Sequence, residues 1–195
     1  MRRNIIILVL VAVVAASAWI WDTRDKASGG KTLGSNVSEG VAAGSADSEI
    51  PSEPAPKDNR YAPSFTLSSL DGTTTYEVGG KRDKALIVNF WAAWCYPCEL
   101  EAPDLKDIYE KHKDKLDLYA VNATKFDKLR EANDFVKEQQ LPFPILTDAK
   151  GTVGDQYKVF SFPISFIIDR NGVIRHRIEG VIDRKKWEQY LEEVL

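Results

Sequence analysis

Cysteine is scarce, with two residues in a chain of 195, at positions 95 and 98. A secreted scaffold stapled by disulfides needs several cysteines spread along the chain, so that class is excluded. A bridge across so short a loop would remove little entropy from the unfolded chain, and the pair suits chemistry better than stapling. Histidine is equally rare, at 112 and 176, and neither stands at a recognised zinc-ligand spacing from the cysteines. Basic excess is also missing. The 26 Lys and Arg against 29 Asp and Glu leave a net charge of −3, which supplies no electrostatic reason to expect nucleic acid as a partner. Residues 22–60 contain no aromatic side chain, and no internal repeat runs through the chain.

What is present divides the chain into three parts. Arg2 and Arg3 precede an uncharged run from Asn4 to Trp21, about 18 residues and just long enough to span a bilayer as a helix. Asp22, Arg24, Asp25 and Lys26 end it abruptly, and Trp19 and Trp21 sit where interfacial aromatics usually sit. A single-pass anchor in the cell membrane is expected over 1–21, with the C-terminal part on the extracytoplasmic side. The alternative is a signal peptide cleaved after the small-x-small run Ala16-Ser17-Ala18. The run has no polar face, which sets aside a core helix. Residues 22–60 are Gly, Ser, Ala, Pro, Asp and Glu in the main, too polar to offset the entropy of ordering them. As a flexible linker they would reach roughly 35 Å.

Residues 61–195 read as a single folded domain of alternating strands and helices. Phe65 to Leu67 and Thr73 to Tyr76 flank an Asp71-Gly72 turn, and Ile164 to Ile168 and Val173 to Ile178 flank Asn171-Gly172; both are hairpin signals. Ala85 to Phe90 is a nearly continuous apolar run, the pattern of a strand buried on both faces. Helices are expected from about Cys98 to Lys113, from Lys128 to Gln139 with Leu129, Ala132 and Val136 inward, and from Asp183 with Trp187, Tyr190, Leu191 and Val194 inward. Leu116 to Val121 and Ile145-Leu146 complete a mixed sheet of an α/β domain with helices on both faces.

Trp94-Cys95-Tyr96-Pro97-Cys98 stands between the buried strand and the first helix. Cys95 would lie at a helix N-terminus, where unpaired backbone N–H groups and the helix dipole favour a thiolate. Cys98, one turn on, could attack a mixed disulfide formed at Cys95. Pro97 fits the first turn, where its missing N–H costs nothing. A structural disulfide and half of a zinc site are the competing readings of the pair. Glu101 shares a helical face with Cys98, Leu105 and Ile108, so it should point inward, where burial would raise its pKa and let it relay a proton. The alternative is a solvated first-turn glutamate favoured by the dipole.

The run Val88 to Cys98 resembles the active-site strand and loop of the thioredoxin superfamily. Glu99-Leu100-Glu101-Ala102-Pro103, the N-terminal apolar segment and the insertion around 125–160 resemble its TlpA/ResA-like branch of membrane-anchored thiol-disulfide oxidoreductases. The resemblance implies a thioredoxin fold, a central mixed sheet flanked by helices with an N-terminal hairpin and an insertion. It implies Cys95 as nucleophile, Cys98 as resolving thiol and Glu101 as the branch's active-site glutamate. Asn89 stands where thioredoxin itself has a titrating aspartate. Phe162-Pro163 matches the cis-proline position, where a bare X–Pro bond would favour trans. Trp94, Tyr96, Pro97, Phe162 and Pro163 would line the substrate site. Tyr96 and Phe162 depart from the residues usual at their positions.

The implied function is extracytoplasmic thiol-disulfide exchange, in the reducing direction. Its partners would be protein disulfides, such as apocytochrome c cysteines, and a membrane thiol carrier. No cofactor or metal is expected beyond the redox-active Cys95–Cys98 disulfide. Copper delivery and thiol peroxidase activity are the rivals on the same fold. The first would want a CxxxC spacing and a partnering histidine, and the second a Thr-x-x-Cys context.

Overall fold

The computed structural model describes residues 50–195. Strands β1 (Arg60–Tyr61), β2 (Phe65–Ser68), β3 (Thr75–Val78) and β4 (Ala85–Trp91) lead into helix α1 (Tyr96–His112). Then follow β5 (Leu116–Asn122), α2 (Leu129–Gln139), β6 (Ile145–Thr147), α3 (Thr152–Gln156), β7 (Ile164–Ile168), β8 (Val173–Glu179) and α4 (Arg184–Glu192). Six strands form one sheet in the order β1-β8-β7-β4-β5-β6, and β2 with β3 forms a separate hairpin.

All seven residues of β4 are buried, as its apolar run requires. Side chains alternate across a strand, so Ala85, Ile87, Asn89 and Trp91 point to one face and Leu86, Val88 and Phe90 to the other. The first face meets Ile108, Leu105, Phe135, Trp187 and Leu191 from α1, α2 and α4. The second meets Phe65 and Val78 of the hairpin, Val153 and Tyr157 in and after α3, and Phe166. Each fully buried Leu, Ile, Val or Phe contributes roughly 1.5–3 kcal/mol against exposure, which makes β4 the spine of both cores.

The sheet's topology gathers one end of it. β4 and β5 are parallel and end together, Trp91 opposite Asn122. β7 runs antiparallel to β4 and begins there, Ile164 opposite Phe90. The loop after β4, the connection after β5 and the segment before β7 therefore emerge on one edge. That edge carries the cysteines.

Several expectations shift. α1 starts two residues earlier than Cys98, because Cys95 is its N-cap. In α2 Ala132 and Phe135 are buried and Val136 packs half-buried against the same core, whereas Leu129 is exposed. Phe135 stacks on Trp91 with ring centroids 4.7 Å apart, and that contact sets the helix's rotation. Arg60, placed in the linker by composition, pairs with Ile174 in β1, and Asn59 N–H donates to the Ile174 carbonyl at 2.8 Å. Neither β1 nor the five-residue α3 has a periodic signal in the sequence. Gly172 of the second hairpin has φ +82°, and a Cβ there would lie 2.4 Å from the Gly80 carbonyl oxygen, so only glycine fits. The expected anchor over 1–21 lies outside the described residues. Among the described residues no helix is long and apolar enough to cross a membrane.

Candidate active site

Cys95 and Cys98 form a disulfide with Cα atoms 5.3 Å apart. Cys95 caps α1 in an extended conformation, and its sulfur accepts from the Cys98 backbone N–H at 3.2 Å. The Cys95 carbonyl takes the N–H groups of Cys98 and Glu99, so the first turn of α1 closes directly onto this residue. Pro97 occupies that first turn, where no partner is asked of it. Both cysteines are 5% exposed. Burial of the two residues is therefore equal; the cap separates them, because the Sγ of Cys95 receives a helix N–H.

The rim is aromatic. Trp94 and Tyr96 are exposed, and the Phe162–Pro163 peptide bond is cis. The Trp94 and Phe162 rings meet edge to face with centroids 5.7 Å apart, so the cysteine loop and the cis-proline segment are in contact. Pro163 is buried beneath this rim, and its carbonyl accepts from Gly180 N–H at 2.9 Å.

The connection after β5 is stitched to the cysteine loop. Ala123 N–H donates to Trp91 O at 2.9 Å, Ala93 N–H to Asp127 Oδ2 at 2.6 Å, and Trp94 Nε1–H to Phe126 O at 3.0 Å. Asp127 Oδ2 also accepts from Asn122 Nδ2 at 2.7 Å. Phe126, Asp127 and Asn122 have no motif around them, and sequence reading passes over all three.

Glu101 is 1% exposed and so lies on the inward face that its spacing implies. Its Oε2 accepts from Asn89 Nδ2 at 2.9 Å, while Oε1 has no protein partner. Burial pushes its pKa up to about 8; the Asn89 hydrogen bond opposes the rise and the nearby Asp104 carboxylate adds to it. Asn89, which cannot titrate, is thus the direct partner of the group that does. Strand alternation puts Asn89 between Ile87 and Trp91 on the face of β4 that α1 covers; which side chain it meets there is set by the packing of the helix. Among the described residues no three His, Cys, Asp or Glu side chains gather where they could hold a metal ion.

A CxxC disulfide that caps a helix beside a cis proline, on a sheet of this topology, defines a thioredoxin-fold thiol-disulfide oxidoreductase. The comparisons agree with the geometry. The AhpC/TSA family model matches residues 59–177, and the chain belongs to that family. It is 36% identical over 137 residues to the thioredoxin-like protein YneN of Bacillus subtilis, covering 70% of this chain and 79% of that one. To the thiol-disulfide oxidoreductase ResA of Bacillus thuringiensis it is 34% identical over 136 residues, covering 69% and 77%. The crystal structure of StoA from Bacillus subtilis superposes with a TM-score of 0.59 at 26% identity, over 72% of this chain and 99% of that one.

Proposed function

We propose that the protein reduces disulfides of exported proteins on the extracytoplasmic side of the cell membrane, held there by an uncleaved helix over residues 1–21. The observation that carries the reading is the Cys95 sulfur at the N-cap of α1, hydrogen-bonded by the Cys98 N–H. A sulfur so placed is stabilised as the thiolate.

In the reduced protein the Cys95 thiolate attacks one sulfur of a client disulfide. That bond breaks, a client thiolate leaves and takes a proton from water, and a mixed disulfide forms at Cys95. Glu101, as carboxylate, accepts the Cys98 proton; the Cys98 thiolate then attacks Cys95 Sγ and expels the second client thiolate. Two electrons have moved to the client, and the Cys95–Cys98 disulfide remains. A membrane thiol carrier returns them by the reverse exchange. Exposed Trp94 and Tyr96, with Pro97 between the cysteines and Phe162 against the Trp94 ring, would supply the surface on which an extended client segment lies, with Pro163 beneath it. Apocytochrome c, whose cysteines must be reduced before haem attachment, is the client class proposed from the ResA likeness.

Trapping tests this. A Cys98→Ser variant leaves the mixed disulfide unresolved, so clients are recovered covalently bound through Cys95, and Cys95→Ser recovers none. Capture by Cys95→Ser instead would reverse the two roles. The direction has its own measurement: a reduction potential near about −120 mV, that of a strong oxidant, would overturn the reducing assignment.

A further inference from the structure

The Glu101 carboxyl is held from one side. Asn89 Nδ2 donates to Glu101 Oε2 and also to Ser165 Oγ, each at 2.9 Å. Asn89, Glu101 and Ser165 are all buried, at 3%, 1% and 1% exposure. With both amide hydrogens committed, the Asn89 side chain cannot turn over without leaving a buried acceptor unpaired. Asn89 and Ser165 are also direct cross-strand partners in the β4–β7 ladder. Ser165 lies two residues beyond Pro163. The strand that starts at the cis proline therefore also braces the group that orients the carboxyl on α1.

Oxygen Oε2 already receives an N–H, so the proton of the neutral carboxyl sits on Oε1, the oxygen without a protein partner. We infer that Asn89, locked by Ser165, is a positioning residue that keeps Oε2 bonded and Oε1 as the proton-exchanging atom, and thereby sets the pH range in which Cys98 can be deprotonated. The inference rests on the reading of Glu101 as the base for Cys98.

The physical reason is differential hydrogen bonding. An N–H bond to a carboxylate is stronger than one to the neutral acid, so Asn89 favours the ionised form against burial. The groups facing the carboxyl are few. From α1 there is Asp104, one turn after, whose charge raises the pKa further, and Cys98 lies on the same buried face one turn before. From β4 and β7 they are the neutral Asn89 and Ser165.

The test isolates the second step. The reduced full chain is mixed rapidly with excess glutathione disulfide, which forms the mixed disulfide at Cys95, and release of the second glutathione is timed from about pH 5 to about pH 10, which spans the ordinary carboxylate and thiol ranges. For the wild type the rate rises with pH along a limb belonging to Glu101, and Glu101→Gln removes that limb. Asn89→Leu removes the donor at similar size. It shifts the limb to higher pH by about one unit, and so slows release about tenfold on the rising side. Ser165→Ala, which leaves the core volume nearly unchanged, shifts it in the same direction by less, and carries the test if leucine is not tolerated at 89. A uniform loss of rate with the limb unmoved, in both variants, would mean that Asn89 and Ser165 only pack. A limb that persists in Glu101→Gln would instead overturn the role of Glu101 itself, which the Asn89 result alone would not reveal.

Discussion

Among single residues, Glu101 has the greatest thermodynamic consequence. A carboxyl that is neutral when buried and ionised when the chain unfolds makes the folded state bind the extra proton. Burial lifts its folded pKa to about 8, above the ordinary 4.5 of a glutamate in water. The contribution to stability is therefore fully present below about pH 4.5 and is lost as pH rises through 8. The oxidised wild type should lose about 1.4 kcal/mol per pH unit across that window, measured by urea unfolding against Glu101→Gln as reference. Parallel pH profiles for the two would show that the carboxyl is not buried in the neutral form. Asp71 and Glu188 do not confuse the comparison. The hydrogen bond from Ser69 pulls Asp71 down to about 2, and the hydrogen bond from Lys111 lowers Glu188, so both titrate on the acid side of the window.

At the scale of elements, the cysteine loop is as much a product of the β5–α2 connection as of its own sequence. Ala93 N–H and the Asn122 amide share one oxygen of Asp127, and its other oxygen accepts from Lys128 N–H at 2.8 Å. Asp127→Ala leaves these donors without acceptors and should cost about 1–3 kcal/mol of stability, read from the denaturant midpoint. Because Trp94 Nε1 donates to the neighbouring Phe126 carbonyl, the same variant should also change the fluorescence of the exposed Trp94. An unaltered midpoint would mean that the loop holds its shape without Asp127. Helix α1 contributes in another way. Pro103 inside it leaves the Glu99 carbonyl without its helical donor, while the residues that face the core on either side, Cys98, Glu101, Leu105 and Ile108, keep one continuous buried stripe.

For the whole molecule, the described domain holds the Cys95–Cys98 disulfide and the buried Glu101, and the role proposed for the segment before it is to hold that domain at the membrane. An anchored protein should keep Met1 or the residues just after it and should sediment with membranes. A soluble mature protein beginning at Trp19 would show that Ala16-Ser17-Ala18 is cleaved and that the domain works free of the membrane.

The strand at 85–90, the helix after the cysteines, both hairpins and the thiol pair were legible in the residues alone. Each is a local matter: a buried strand is a run of apolar residues, a hairpin is announced by Asp-Gly or Asn-Gly, and two cysteines one turn apart share a helix end. The sequence also made the inward face of Glu101 legible, since helical period places residues 98, 101, 105 and 108 together. The remaining features came from contacts between distant segments. Asn89, Glu101 and Ser165 are brought into one hydrogen-bonded row by three separate elements, and Asp127 reaches Ala93 across 34 positions of sequence. β1 is a strand because β8 offers it a partner, and α2 turns Phe135 inward because Trp91 is there to receive it. Periodicity reports how one segment meets a core in general; it carries no information about which distant side chain will complete a hydrogen bond, because that pairing exists only once the sheet has set its register.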